Sequence, residues 1–422
     1  MSEYQSLFLK NYEVFSYREV FRDETLHLFT SEEVQRLYGP EAAPFAWGTF
    51  GVGGEAAIQD IGDELKVTLL QSTSRTLRQR LDILGYSLQK LEDLYLAARD
   101  LEVTRMDSFA ASYPDLGPYD FNFWKGNLRD LSFDSWLAQV TQHVERKMAV
   151  ETPSLGDVGP LELLDDQDAR WLIRAIVEVA LPADMLSLDV TRIDYDSLLD
   201  NGFLMDTDGA NYEAVFNPGP PIVITEGRYD AKVLREAIEI LMPHLEHYIR
   251  FLDFDFGNEG GASAAVKTLK SFAAAGISNR IVALFDNDSA AYEAVLALET
   301  SKLPAHYSVV HYPYLDSATE YPTLGPQGES TMDVNGLACS IELYLGDDVL
   351  RRQDGELIPV QWKGFMGKVK KYQGEVMDKS AIQRAFDDKV KRARQDPGCV
   401  GQQDWQGLRS VLERLITALA LT

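Results

Sequence analysis

The stretch PPIVITEGRYDAKVL, residues 220–234, decides how this chain is read. The apolar run IVIT (222–225) stops at Glu226 and Gly227, and a second acid, Asp230, follows four residues after the first. A short β-branched run bounded by Pro and Gly reads as a strand. The residues after it place Leu234, Ala237, Ile238 and Leu241 on one helical face. Asp230 then falls in the first helical turn, where it can face the same cleft as Glu226. The alternation continues downstream. YIRFLDF (248–254), RIVALF (280–285) and YSVVHY (307–312) read as strands; GGASAAVKTLKSFAAAG, closed by Gly276, and SAAYEAVLALETSKL read as helices. This pattern predicts a mostly parallel sheet with helices on both faces and right-handed crossovers.

The N-terminal half reads differently. YEVFSYREVF and APFAWGTFGVG are aromatic and β-branched, and GVGG at 51–54 interrupts them, so residues 1–60 are expected to be a small β-rich region. From about 61 to 180 the pattern turns helical, with Leu77, Leu81, Leu84, Leu88, Leu91 and Leu94 at three- and four-residue spacing. SFDSWLAQVTQHVERKM and QDARWLIRAIVEVAL are two further helices, with Ser132 or Asp134 and Asp166 or Asp168 as N-cap candidates. Residues 187–219 are polar and turn-rich, and NPGPP marks a boundary. The expected domains are thus 1–60, a helical domain 61–215, an α/β domain 216–350, and a basic helical extension 351–422.

With 422 residues the chain can bury more than one core. No apolar run is long enough for a membrane span and the N-terminus lacks a signal-peptide pattern, so a cytoplasmic protein is expected. Two cysteines, Cys339 and Cys399, make neither a disulfide framework nor a zinc ribbon. A net charge of −26 excludes a protein that coats nucleic acid through a generally basic surface. The charge is uneven: residues 363–394 hold ten Lys or Arg against four acids, which leaves −32 on the remainder.

In open α/β sheets ligands bind beyond the carboxyl ends of the strands. Glu226 ends one strand, and Asp286 and Asp288 end another in LFDNDSAA, 60 residues after the glutamate. Taken singly, each is most simply an N-cap. Taken together, these acids and Asp230 repel one another unless a cation sits among them, and hard oxygen ligands suit Mg²⁺ or Mn²⁺. A second DxD, Asp253-Phe254-Asp255, follows a less buried-looking strand.

Strand-Glu-Gly-x-x-Asp-helix followed by strand-Asp-x-Asp resembles the Toprim domain, the catalytic fold of topoisomerases, bacterial primases, a ribosomal-RNA maturase and the OLD-family nucleases. The resemblance carries the family glutamate to Glu226 and its DxD to Asp286 and Asp288. The OLD-type acid four residues after the glutamate falls on Asp230, and the later Ser-x-Glu on Ser340 and Glu342 in LACSIELYL. The charge-stabilising lysine of those enzymes falls on Lys379, with Lys363 and Lys368 behind it. No GxxxxGK[ST] is present, so no P-loop motor of its own is expected. The first two hundred residues look like the HEPN/Toprim-associated N-terminal region of bacterial proteins linked to phage defence. The one Arg-x(4–6)-His match, Arg22 to His27, is read as chance, and the HEPN-like helical bundle as a dimerisation or regulatory module.

The resemblance implies a two-metal endonuclease acting on RNA, such as tRNA, or on DNA. Glu226, Asp230, Asp286, Asp288, Ser340 and Glu342 would hold two Mg²⁺ or Mn²⁺ ions. Lys363, Lys368, Lys370 and Lys371 would hold flanking phosphates, and Trp362 is a candidate for stacking on a base. Expected partners are nucleic acid, a second copy of the chain through the helical domain, and a trigger protein, with no membrane. The alternative is a non-catalytic metal- and nucleic-acid-binding regulatory protein of a defence complex.

Overall fold

The structure is a computed structural model that describes residues 4–18, 22–46, 65–112, 125–149, 159–191, 220–253, 260–352 and 354–421. The GVGG break at 51–54, the NPG of the expected boundary and Asp255 lie outside the described residues. The chain divides into two compact units, 1–215 and 216–422.

The first unit is built on an antiparallel sheet of β1 (Tyr4–Leu9), β2 (Tyr12–Arg18), β3 (Val34–Tyr38), β4 (Lys66–Thr73) and β5 (Met185–Asp189), in the order β2-β1-β5-β4-β3. Strand alternation assigns its two faces. Leu7, Leu9, Leu70, Leu186 and Leu188 join one core, while Phe8, Val67 and Leu69 join another with Ala42, Ala43 and Phe45. The first core is covered by α1 (Ser74–Leu84), α2 (Leu88–Ser112), α3 (Phe133–Ala149) and α4 (Ala169–Val179). At its centre Trp136 is fully buried, and its indole N–H donates to the Pro160 carbonyl at 3.0 Å. Asp168 caps α4 by accepting from the Arg170 N–H.

Three local expectations change. The helical pattern begins at Ser74, because KVTLLQST is a strand paired on both sides. The leucine-rich run is two helices, broken at Gly85, whose φ of 91° ends α1 in the left-handed region that glycine adopts without a Cβ clash. Ala43–Phe45 is a 3-10 turn and not a strand.

The second unit holds a fully parallel sheet of β6 (Ile222–Ile224), β7 (Arg250–Phe251), β8 (Ile281–Phe285) and β10 (Tyr307–His311), ordered β10-β8-β6-β7. Its helices are α5 (Arg228–Leu241), α6 (Ala262–Ala274), α7 (Ser289–Val295), α8 (Asp347–Leu350), α9 (Lys379–Gln395) and α10 (Gln406–Leu421). All five residues of β8 are buried, as helices on both faces require. Ile281, Ala283 and Phe285 pack with Val266 and Leu269 of α6, while α10 packs on β8, β10 and α5. YIRFLDF is strand only at Arg250 and Phe251, because Pro243–Tyr248 forms a 3-10 turn before it.

A second sheet, β12-β11-β14-β15, comprises β11 (Tyr321–Gly325), β12 (Gly328–Met332), β14 (Val360–Met366) and β15 (Lys371–Val376). Two short strands, β9 (Asn287–Asp288) and β13 (Ala338–Cys339), pair antiparallel, with Ala338 opposite Asp288. This pairing sets the stretch before Ser340 against the end of β8.

Candidate functional site

The carboxyl ends of β6 and β8 lie side by side, because those strands pair in parallel register, Ile224 opposite Ala283. Two residues beyond that pair on β6 is Glu226, whose carboxylate accepts from the Asp286 N–H at 2.9 Å. Gly227 opens α5 at a tight approach: a Cβ there would come within 3.1 Å of the Asp230 Oδ2. Asp230, buried in the first turn of α5, accepts from the Tyr312 hydroxyl at 3.0 Å. Tyr312 follows β10, the neighbour of β8, so the sheet itself delivers that donor. Asp288 caps α7 through the Ala291 N–H and also accepts from the Gln373 side-chain amide at 2.7 Å.

The β9–β13 pair brings in the remaining residues. Just after β13, the Ser340 hydroxyl donates to Glu342 at 2.6 Å, and both side chains are buried. Lys379, at the start of α9, lies 3.6 Å from Glu342 and 3.3 Å from Glu375. Burial alone would lower its ammonium, but the Glu342 and Glu375 carboxylates outweigh that and raise it.

The electrostatics mark the group as one cluster. Burial, then the charges of Glu226, Asp230, Asp288 and Glu342, push the Asp286 carboxyl well above the usual carboxylate range. Burial, helped by Asp288 and Asp230 and opposed by the Asp286 N–H, lifts Glu226 to about 8. Burial also lifts Asp230 to about 6, with Glu342 adding to the rise and the Tyr312 hydroxyl opposing it. The Asp286 Oδ1 is buried with no hydrogen-bond partner among the described residues. A buried carboxylate oxygen left unpaired costs several kcal/mol or takes up a proton. Yet no three His, Cys, Asp or Glu side chains among the described residues are arranged to hold a metal ion as they stand. Each of the other acids is instead turned toward an internal donor.

Of the residues named from sequence, Glu226, Asp230, Asp286, Asp288, Ser340, Glu342 and Lys379 thus meet in this region. Lys363, Lys368, Lys370 and Lys371 lie on the β14–β15 hairpin and the turn that joins its strands. The basic segment is not one continuous patch. Lys389 is buried, donating to the Leu345 and Asp404 carbonyls and to Asp348, and Arg394 pairs with Glu239 of α5. Asp253 is exposed. Arg22 and His27 sit at a 3-10 turn, where Arg22 lies over the Tyr17 ring and donates to the Asp165 carbonyl.

Tyr312 and Gln373 carry no motif, and sequence reasoning misses both. Tyr312 has one usable signal, since it ends the strand beside the DxD strand. Gln373 has none, because 85 residues separate it from Asp288. The His311 Nδ1 donates to the Asp286 carbonyl at 2.8 Å, and its ring stacks on Tyr292.

Among the described residues no helix is long and apolar enough to cross a membrane. No curated protein and no solved structure matches the chain. Residues 1–212, half of the chain, match the family described as HEPN/Toprim N-terminal domain 1, and both domains in that description are typically nuclease-related. The chain therefore belongs to the HEPN/Toprim N-terminal domain 1 family.

Proposed function

We propose that the protein is a metal-dependent Toprim endonuclease that hydrolyses phosphodiester bonds of RNA or DNA, in the setting of bacterial defence against phage. The observation that carries this reading is the unpartnered, buried Oδ1 of Asp286 among four other acids. Repulsion of that kind is what divalent cations relieve, and the donors are all hard oxygens. Glu226, Asp230, Asp286, Asp288 and Glu342, with Ser340, would hold two Mg²⁺ or Mn²⁺ ions, with Asp230, Asp288 and Glu342 exchanging their present donors for them. Bound there, such ions polarise a phosphate and lower the pKa of an attacking water.

The chain's own groups have defined work in this reading. Glu226, ionised once cations offset the neighbouring acids, takes the proton of the attacking water. Lys379 is a fixed positive charge beside Glu342, placed to offset charge gathering on the phosphate. Tyr312 and Gln373 orient Asp230 and Asp288. The lysines of the β14–β15 hairpin hold flanking phosphates. Purified protein with Mn²⁺ should cut a substrate from a panel of tRNA, single-stranded DNA and plasmid, and Asp286→Ala and Glu226→Ala should each abolish cutting while keeping the fold. Metal-dependent cleavage that persists in both variants refutes the proposal.

A second reading is a non-catalytic metal- and nucleic-acid-binding regulator. Tight nucleic-acid binding without products over the same panel selects it.

A further inference from the structure

The β14–β15 hairpin displays three aromatic rings on one face for a local reason. A register shift between Trp362 and Gly364 leaves Lys363 as an extra residue in β14. Residues three apart on a regular strand point to opposite faces, and one bulged residue returns them to the same face. Trp362 and Phe365 are thereby brought together with Tyr372, which pairs opposite Phe365. The Tyr372 ring lies 5.3 Å from Phe365 and 6.4 Å from Trp362, centroid to centroid. Glycine on both flanking strands makes room for the indole. A Cβ at Gly325 would meet the Trp362 ring at 3.3 Å, and one at Gly374 would meet Val360 at 2.6 Å and Ala338 at 2.9 Å before reaching the ring at 3.2 Å.

Trp362 is thus seated on the sheet, while Phe365 and Tyr372 are each 57% exposed. The rings meet edge to face, Tyr372 at 66° to Phe365 and 72° to Trp362, which fixes their orientation on the sheet. Lysines outnumber acids around them, with Lys363 lying 3.6 Å from Glu375 and Lys368 3.4 Å from Glu293. KGFMGKVKK (363–371) holds four lysines and no acid, within a chain of net charge −26. The platform is also tied to the candidate active site. The Ser289 hydroxyl donates to the Tyr372 carbonyl at 2.8 Å, and the next residue, Gln373, holds Asp288.

We infer that Trp362, Phe365 and Tyr372 form a base-stacking platform, and that the nucleic acid this protein engages is single-stranded or locally unpaired. The inference deepens the nuclease reading and rests on it. Aromatic faces stack on unpaired bases of any sequence, whereas a duplex hides its base faces and offers only phosphates to the lysines. The local excess of lysine over acid, four against Glu375 and Glu293, favours a polyanion over a protein partner on this surface.

The test is fluorescence anisotropy in EDTA with labelled oligothymidylate, oligouridylate and a duplex of equal length. Wild-type protein should prefer the single strands, and Phe365→Ala and Tyr372→Ala should each weaken that binding about tenfold, with the duplex nearly unaffected. Tyr372→Phe keeps a ring and should keep the affinity, which separates stacking from damage to the fold. The deoxy and ribo arms tell which nucleic acid is preferred. Unchanged single-strand affinity in the two alanine variants overturns the inference. So does equal binding of duplex and single strand, or a change in molar mass with no change in oligonucleotide affinity, which would mark a protein-docking face. Ring-dependent binding by a protein that cuts nothing would keep the platform and sink the nuclease; ring-independent cutting would do the reverse.

Discussion

Replacing Asp230 by Asn tests what a buried carboxylate beside other acids costs the fold. The Asp230 carboxyl is buried, and its pKa is raised from 3.8 to about 6 by burial first and Glu342 next. A folded-state pKa above the unfolded value means that the native state binds more protons between the two. Stability is therefore lost as pH rises from 3.8 through about 6, and the whole cost is present above that window. A rise of about two units corresponds to about 3 kcal/mol. Asn still accepts from the Tyr312 hydroxyl but loses the bond that the carboxylate takes from its own backbone N–H, a loss of about 1 kcal/mol. Asp230→Asn should thus be more stable than wild type by about 2 kcal/mol at pH 8 in EDTA, with the gain vanishing toward about pH 4.5. Urea unfolding at the two pH values reads this directly. Adding Mn²⁺ should stabilise wild type more than the variant, because ligand that binds only the native state adds RT ln(1 + [L]/Kd). A variant no more stable than wild type at pH 8 in EDTA refutes the reasoning.

Three further outcomes are expected. Lys389→Ala should cost about 3–5 kcal/mol in chemical denaturation, because it leaves the Leu345 and Asp404 carbonyls and Asp348 without their buried donor. Asp168→Ala should cost about 1–2 kcal/mol at neutral pH by removing the cap of α4. Burial alone would raise the Asp168 carboxyl, but the Arg170 and Tyr86 bonds outweigh it and lower it, so its contribution is fully present above the unfolded pKa of about 3.9 and is lost as pH falls below it; a deficit unchanged by acidification would contradict that account. Lys379→Ala should lower kcat about 100-fold or more while single-strand binding holds, measured in single-turnover cleavage; an equal loss in both would mean the lysine only binds phosphate.

Elements with a strong local period are legible in the amino-acid sequence. The β–α alternation from Ile222 to His311 rests on runs such as RIVALF, where every residue of the strand is buried between helices. The breaks are less legible. KVTLLQST has the short mixed run that either a strand or a helix entry can show, and only its pairing with β3 and β5 makes it a strand. Lys389 reads as one more surface cation, yet the fold closes over it because Leu345, Asp348 and Asp404 arrive from distant positions. Of the candidate site, the acids at strand ends can be named from chemistry and spacing. Tyr312 and Gln373, which position two of them, cannot, because a tyrosine and a glutamine have no motif.

By itself the sequence determined the parallel β–α alternation of the second unit and named the acids of its candidate site. Both follow from side-chain periodicity and from carboxylates set where strands must stop. Tertiary structure alone decided that Ser340 and Glu342 stand beside Asp286 and Asp288, through one two-residue strand pairing. It alone decided that a single bulged lysine turns Trp362, Phe365 and Tyr372 to one face. Long-range register is a property of the whole sheet, set by which buried surfaces and backbone groups satisfy one another, and no local window of residues contains it.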